Sequence, residues 1–348
     1  MVRARPFGDK RAVPRVPREA VSRTLSPVKR VLMVPSDPAD PAAFKAARTM
    51  CRRWADFAFA ARFLDRSRRD AGSAVVAFFG MIAEAIGKEA AELEGARGLR
   101  HHPAVVSPAA SRCSGGGGEA IVEALRQRLN QIYAGGLELP SPASRSPQQH
   151  AMHALARTVQ RFDVGPEHFL RFAEERVRDA TVTRYPTWSR LEQHCRATGG
   201  SIARALGEVL GLQHSDGSRM IERLGVALRL VQVLRDVNAD RERDRICLPL
   251  EDLARCRYSE RDLLAGVVNE RLEDLRAFEA ERARELINEG CAALPWIAGD
   301  KSRLFVATLV ALAEATLRRP PSRPQLTTAM RLRQLPAAWK LVRERGRP

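Results

Sequence analysis

Aromatic side chains make up only 5% of this 348-residue chain. With no recognisable base-reading motif beside them, they are too few to supply the stacking surfaces of a specific nucleic-acid reader. A phosphate-binding glycine loop is missing, and so is the alternation of strand and helix patterns that builds a parallel sheet, which argues against a nucleotide-binding α/β fold. No run approaches the roughly 18 to 20 apolar residues that a bilayer crossing needs, so nothing reads as a membrane span. The six cysteines, Cys51, Cys113, Cys195, Cys247, Cys256 and Cys291, lack the close paired spacing of zinc sites, and no secretory signal with an apolar core precedes them. The expectation is a cytoplasmic protein with free thiols that serve helix packing. His101, His102 and His194 are read as solvated or hydrogen-bonded histidines rather than metal ligands.

Basic charge is what the chain has in excess. Its 58 Lys and Arg against 41 Asp and Glu give a formal charge of +17, and that excess sits at the ends. The first 30 residues hold nine basic and two acidic residues, and residues 317–348 hold nine and one. Such ends attract anionic surfaces without choosing among them. At 45% hydrophobic and 28% charged residues, the body is globular in composition and long enough to bury a substantial core.

Residues 1–42, rich in Arg, Pro and Val, read as a disordered basic N-terminal extension. Residues 43–317 read as one all-α helical bundle around a central cavity, interrupted by flexible loops near 101–118, which ends in SGGGG, and 135–149. Residues 318–348 read as a basic C-terminal tail. Within the bundle, residues 220–237 are apolar on nearly every face except a charged end, the pattern of a central buried helix.

That charged end opens the most informative segment, LRDVNADRERDRICLPLEDL at 234–253. Asp236 and Asp240 are four residues apart, so on a helix their carboxylates share one face, one turn apart. Such a pair suits Mg2+, which takes oxygen ligands and often needs only one or two carboxylates plus substrate phosphate. Arg235 and Arg245 flank it with guanidinium forks that match phosphate oxygens. The same spacing also fits an exposed helix face with ordinary ion pairs.

Three strings, RYPTWSRLEQHCRATGG (184–200), LGVALRLVQVLRDVNAD (224–240) and RICLPLEDL (245–253), follow one another in an order that resembles the squalene/phytoene synthase family. That resemblance implies an all-helical fold in which two aspartate-rich motifs face each other across a cavity, bind Mg2+ and join two prenyl diphosphates, here farnesyl or geranylgeranyl diphosphate, head to head. It is good over about 185–264, looser over 56–87 and absent at both ends. It implies that Asp236 and Asp240 are the second-motif aspartates and that Arg235 is the arginine before them. Asp179 then matches an acidic site residue, and Arg184 and Tyr185 match the Arg-Tyr pair.

The first motif departs from the family pattern. In AFFGMIAEAIG (77–87) its aspartates become Ala83, Glu84 and Gly87, and the preceding arginine becomes Gly80. Glu84 is the one acidic candidate left on the facing helix, with Lys88 one turn on as an ordinary ion-pair partner. His194, Arg196 and Ala197 replace expected tyrosines, while Arg229 and Gln232 replace a glutamine and an asparagine. The resemblance therefore leaves two readings. One is a prenyltransferase that uses the surviving motif, with peripheral attachment to anionic membrane suiting its greasy substrates. The other is a catalytically inactive relative that serves as a binding or assembly scaffold.

Overall fold

The computed structural model describes residues 40–96, 117–212, 214–299, 301–320 and 325–346. Residues 1–39 of the extension read as disordered and most of the loop near 101–118 lie outside these residues, while Pro41 and Ala42, read as part of that extension, open a helix. The helices are α1 (Pro41–Met50), α2 (Ala55–Ala60), α3 (Arg66–Ala96), α4 (Gly117–Tyr133), α5 (Pro147–Phe162), α6 (Glu167–Asp179), α7 (Trp188–Cys195) and α8 (Ser201–Val209). They continue with α9 (Ser215–Arg241), α10 (Leu250–Arg255), α11 (Glu260–Ala265), α12 (Glu270–Gly290), α13 (Ser302–Leu317), α14 (Thr328–Arg333) and α15 (Leu335–Arg345). The all-α reading holds. Its one departure among the described residues is a two-stranded parallel pairing of β1 (Arg184–Tyr185) with β2 (Ile246–Pro249).

Two long helices organise the core. In α3, every residue from 74 to 79 is buried, and Phe78 and Phe79 meet Phe169 and Phe172 of α6 at ring distances of 4.8 to 5.2 Å. By length and composition α3 holds a stretch apolar enough to cross a membrane, Arg66–Lys88, which the sequence reading did not single out, but 72% of its apolar window is buried inside the fold. Its hydropathy is that of a core helix.

The second long helix, α9, packs against α12, α8 and a π turn at Arg196–Gly200. Gly199 and Gly225 make this contact close. A Cβ on Gly225 would stand 2.4 Å from the Gly199 carbonyl oxygen, and one on Gly199 would stand 2.3 Å from the Gly225 oxygen. Only two glycines let the backbones approach so far, which fixes how α9 presents its last turns to α6 and α7.

The basic stretch after Leu317 carries more structure than a tail. Thr327 caps α14 through its side chain, and Ala338 of α15 is buried in a cluster with Leu304, Ala307 and Ala311 of α13. Arg331 reaches back to Asp56 at 2.7 Å, and Arg345 to the Asn288 side chain at 2.6 Å. A few apolar anchors therefore hold a segment whose composition is dominated by arginine.

A buried charge group beneath α7 gives the fold a pH dependence. Arg282 donates to Asp252 and to Glu279, each at 2.8 Å, and stacks over Trp188. Burial, with the neighbouring Asp252 carboxylate, outweighs the pull of Arg282 and pushes the Glu279 carboxyl from 4.5 up to about 7. A folded pKa above the unfolded one gives stability that is fully present below about 4.5 and lost as pH rises through about 7. Glu279→Gln should therefore flatten this part of the profile: between pH 4.5 and 7, the melting temperature of the wild type should fall relative to that of the variant. Parallel profiles would show that Glu279 stays ionised.

Candidate functional site

The end of α9, the end of α6 and the β1/β2 pair meet at one pocket. The strand pairing brings this about. Ile246 N donates to Thr183 O at 2.8 Å, which carries Arg245 and Cys247 over the end of α6 and sets Tyr185 against it. Arg184 clamps the turn from outside, donating to Asp244 at 3.1 Å and to Glu260 at 3.0 Å. Asp244 holds the left-handed backbone (φ 54°) that reverses the chain after α9.

The pocket is a small, partly open cleft. Its wall includes Asp179, Tyr185, His194, Arg229, Gln232, Asp236, Asp240, Arg245 and Cys247. Five of the eight residues singled out in the sequence are therefore brought together: Asp179, Tyr185, Asp236, Asp240 and Arg245. Arg235 touches the pocket only through Asp236, whose two oxygens it grips at 2.7 Å each, while it lines a separate cleft with Arg276 and Arg319. Arg184 acts as the outer clamp just described.

Glu84 is not brought in. Half-exposed on α3, it pairs with Lys88 at 3.0 Å and with Arg53 at 3.6 Å, and these neighbours hold its carboxyl below the usual range. The space beside Gly80, where the resemblance implies an arginine, is filled by the Trp54 ring: a Cβ there would lie 2.0 Å from it. Arg53 stacks on that ring at 4.4 Å. Among the described residues, no acidic side chain of α3 lines the pocket.

Asp179 is the buried hub, 2% exposed. It accepts hydrogen bonds from the Tyr185 hydroxyl, from Arg245 at 3.3 Å and from Arg176 at 3.4 Å. Burial works against its charge, but His194, Tyr185, Arg245 and Arg176 outweigh burial and hold its carboxyl below the ordinary value. Burial and then Asp179 push the Tyr185 phenol well up, so it remains a hydrogen-bond donor. Next to Asp179, the buried Glu175 takes Arg190 at 3.0 Å and His194 Nδ1 at 3.3 Å. Burial lowers the His194 pKa despite Glu175. A neutral ring that donates from Nδ1 to Glu175 keeps Nε2 as an acceptor, and Arg229 Nη2 lies 3.4 Å from it.

Glu175, Arg176, His194 and Arg229 were missed as site residues. Helical spacing carried a signal for the first of them, because Glu175 shares the Asp179 face of α6. His194 and Arg229 showed only as departures from a pattern. The pocket-lining Cys247 has its thiol raised to about 12 by burial, then by Asp240, and so is no nucleophile at neutral pH.

The donor set fits a single hard cation on Asp236 and Asp240, two carboxylates one turn apart on a pocket wall. It does not fit a cluster held from both sides, because the facing helix contributes no carboxylate. The described residues contain one group of three with metal-ligand proximity, Glu167, His168 and Glu208. It sits at the other end of α6, about 18 Å along the helix from Asp179. There Glu208 is already engaged by His168 at 2.9 Å and by Gly165 N at 3.1 Å.

With this geometry in place, comparison with known proteins is decisive on one point: the squalene/phytoene synthase family model matches residues 52–340. The chain belongs to that family. It is 32% identical over 232 residues to a 15-cis-phytoene synthase of Synechocystis, a match covering 61% of this chain and 66% of that one. It is 36% identical over 184 residues to a phytoene synthase of Arthrospira platensis, covering 48% and 56%. A phytoene synthase of Thermus thermophilus is 30% identical over 194 residues, covering 56% and 63%. The chain thus spans less than two thirds of each of these relatives. The fold is shared with a dehydrosqualene synthase (TM-score 0.69, 19% identity, covering 88% of this chain and all of the other). A squalene synthase from Alicyclobacillus acidocaldarius has the same fold (TM-score 0.59, 20% identity, covering 88% and 95%). In this family member Asp236 and Asp240 line the pocket, while α3 around Gly80 and Glu84 forms a packed, ion-paired helix face.

Proposed function

We propose that the protein acts on prenyl diphosphates in isoprenoid biosynthesis, holding the diphosphate of farnesyl or geranylgeranyl diphosphate in the pocket at the end of α9. The observation that carries this reading is the convergence of Asp236, Asp240, Asp179, Tyr185 and Arg245 on one wall. Asp236 and Asp240 would hold one Mg2+, which when bound neutralises charge on the diphosphate leaving group. Arg245 would bind phosphate oxygens. Asp179 and Tyr185 orient Arg245, and through His194 they fix the basic side of the pocket. Arg184 supports the turn that carries Arg245.

A second reading, a catalytically inactive relative that binds or assembles, is favoured by a specific feature. Trp54 closes the α3 face at Gly80, and Glu84 is committed to Lys88 and Arg53. Ionising an allylic diphosphate needs concentrated positive charge around the departing group, and here only one wall can supply it. Incubation with radiolabelled farnesyl and geranylgeranyl diphosphate, with and without Mg2+, separates the readings. Mg2+-dependent release of diphosphate with a longer hydrocarbon product is expected of the enzyme. Binding without turnover would establish the inactive relative.

Peripheral attachment to anionic membrane fits the surface of the last two helices. Leu332 and Trp339 are exposed apolar side chains flanked by exposed Arg333, Lys340 and Arg343. Such a face offers apolar insertion and charge attraction together. The five described cysteines are free, which suits a cytoplasmic location.

A further inference from the structure

Arg229 is the unusual charge of this pocket. It sits half-buried on the pocket wall two turns before Asp236, about 10 Å along α9. Its hydrogen bonds go to neutral partners, Gln232 Oε1 at 3.1 Å and His194 Nε2 at 3.4 Å, and its buried Nε has no partner. Among the described ion pairs none involves Arg229, whereas Arg245 and Arg176 share Asp179. The Nε atoms of Arg245 and Arg176 are also buried without partners. Burial and then the Arg229 charge, with Arg245 adding to them, push the Arg176 pKa below its ordinary value against the pull of Asp179. Arg176 and Arg245 thus share Asp179, and Arg229 adds a third guanidinium close enough to act on Arg176.

A half-buried cation without an ion-pair partner persists at a cost to stability unless something anionic completes it. The neutral His194 tautomer, fixed by Glu175 and Asp179, gives Arg229 an acceptor that aims it without neutralising it. Arg229 and Arg245 both line the partly open pocket, and planar guanidinium forks match phosphate oxygens.

We propose that Arg229, with Arg245, forms a guanidinium clamp that binds a diphosphate group without a divalent cation. It would supply from within the chain part of the positive charge that the lost first motif no longer recruits. The inference deepens the proposed function, since it rests on this pocket receiving a diphosphate. It differs in assigning a metal-independent component of binding to a residue that departs from the family pattern. Two sources carry this group, a prenyl diphosphate and released inorganic pyrophosphate.

The test is calorimetric titration of the full chain with inorganic pyrophosphate and with geranylgeranyl diphosphate, in EDTA and in Mg2+. Wild type, Arg229→Gln and Arg229→Lys are compared. Wild type should bind in EDTA. Arg229→Gln should weaken that binding at least about tenfold, and Arg229→Lys, which keeps charge but loses the fork, should fall between. Tighter binding of the prenyl ligand would identify substrate as the source, and tighter binding of pyrophosphate the released product. Because Arg229 is an unpaired cation among like charges, Arg229→Gln should also melt at or above the wild-type temperature, whereas a merely structural Arg229 would give a lower one. Should the Gln variant fail to fold, the structural role is favoured and the proposal is overturned. Binding to wild type only with Mg2+ would overturn the clamp and leave the proposed function standing. Absence of binding under both conditions would remove both. Undiminished binding by Arg229→Gln in EDTA would overturn the clamp alone.

Discussion

Asp236→Asn is expected to abolish the magnesium-dependent part of prenyl diphosphate binding while leaving the fold and the metal-free part in place. The substitution removes one of the two carboxylates that can share an ion on α9, and a neutral amide is a far poorer ligand for a hard cation than a carboxylate. The fold should tolerate it, because the Asp236 side chain is 41% exposed and its ion-pair partner is the adjacent Arg235. Measured as the ratio of dissociation constants in EDTA and in Mg2+, a wild-type gain of at least about tenfold, ~1.4 kcal/mol, should shrink to no gain. Freed from Asp236, Arg235 becomes available to a phosphate, so the EDTA affinity should not fall. A variant that kept the full magnesium gain would show that the ion, if any, is held elsewhere.

The largest stability effect is expected at Asp179. Asp179→Asn leaves Arg176 and Arg245 beside a neutral amide in a site where the acidic side chain was 2% exposed, and breaking such a buried arrangement from one side destabilises by about 3 to 5 kcal/mol. Guanidinium denaturation at pH 7 reads this as a lower midpoint with an unchanged slope. The sign of the pH dependence adds a check. The Asp179 carboxyl is held below its ordinary value, so its stabilisation is present above the unfolded value and is lost as pH falls through the folded one. Wild type and variant should therefore converge only in acid below the ordinary aspartate range. An unchanged midpoint at pH 7 would mean that the cations around Asp179 find other partners.

These two aspartates differ in how far the sequence revealed them. Asp236 and Asp240 were legible because their relation is local: spacing along one helix fixes a shared face, and the strings around them matched a family in order. Asp179 was placed only by resemblance, since its role depends on β2 pairing with β1, where Arg184 meets Ile246, 62 residues on in the chain, a contact that periodicity does not encode. Glu84 shows the opposite limit. Its position in the degraded motif made it the candidate for the facing wall, yet the turn between α1 and α2 supplies Arg53 and Trp54, which claim Glu84 and the space at Gly80. Arg229 was visible as a substitution, but a one-letter difference cannot show that a guanidinium lacks a counter-ion. The helices α14 and α15 were hidden by composition, because arginine dominates the stretch while a few apolar residues, Leu326, Ala338 and Leu341, do the docking.

The central claim is that the pocket at the end of α9 reads a diphosphate, and the most direct test compares geranylgeranyl diphosphate with geranylgeraniol, which has the same chain without the charged group. The expected result is that the diphosphate binds at least about a hundredfold more tightly in Mg2+, roughly 2.7 kcal/mol, and that the preference shrinks in the Asp236→Asn and Arg229→Gln variants. Equal affinity for the two ligands, unaffected by either substitution, would contradict the claim and leave the chain as a helical scaffold that keeps the motif residues for packing alone.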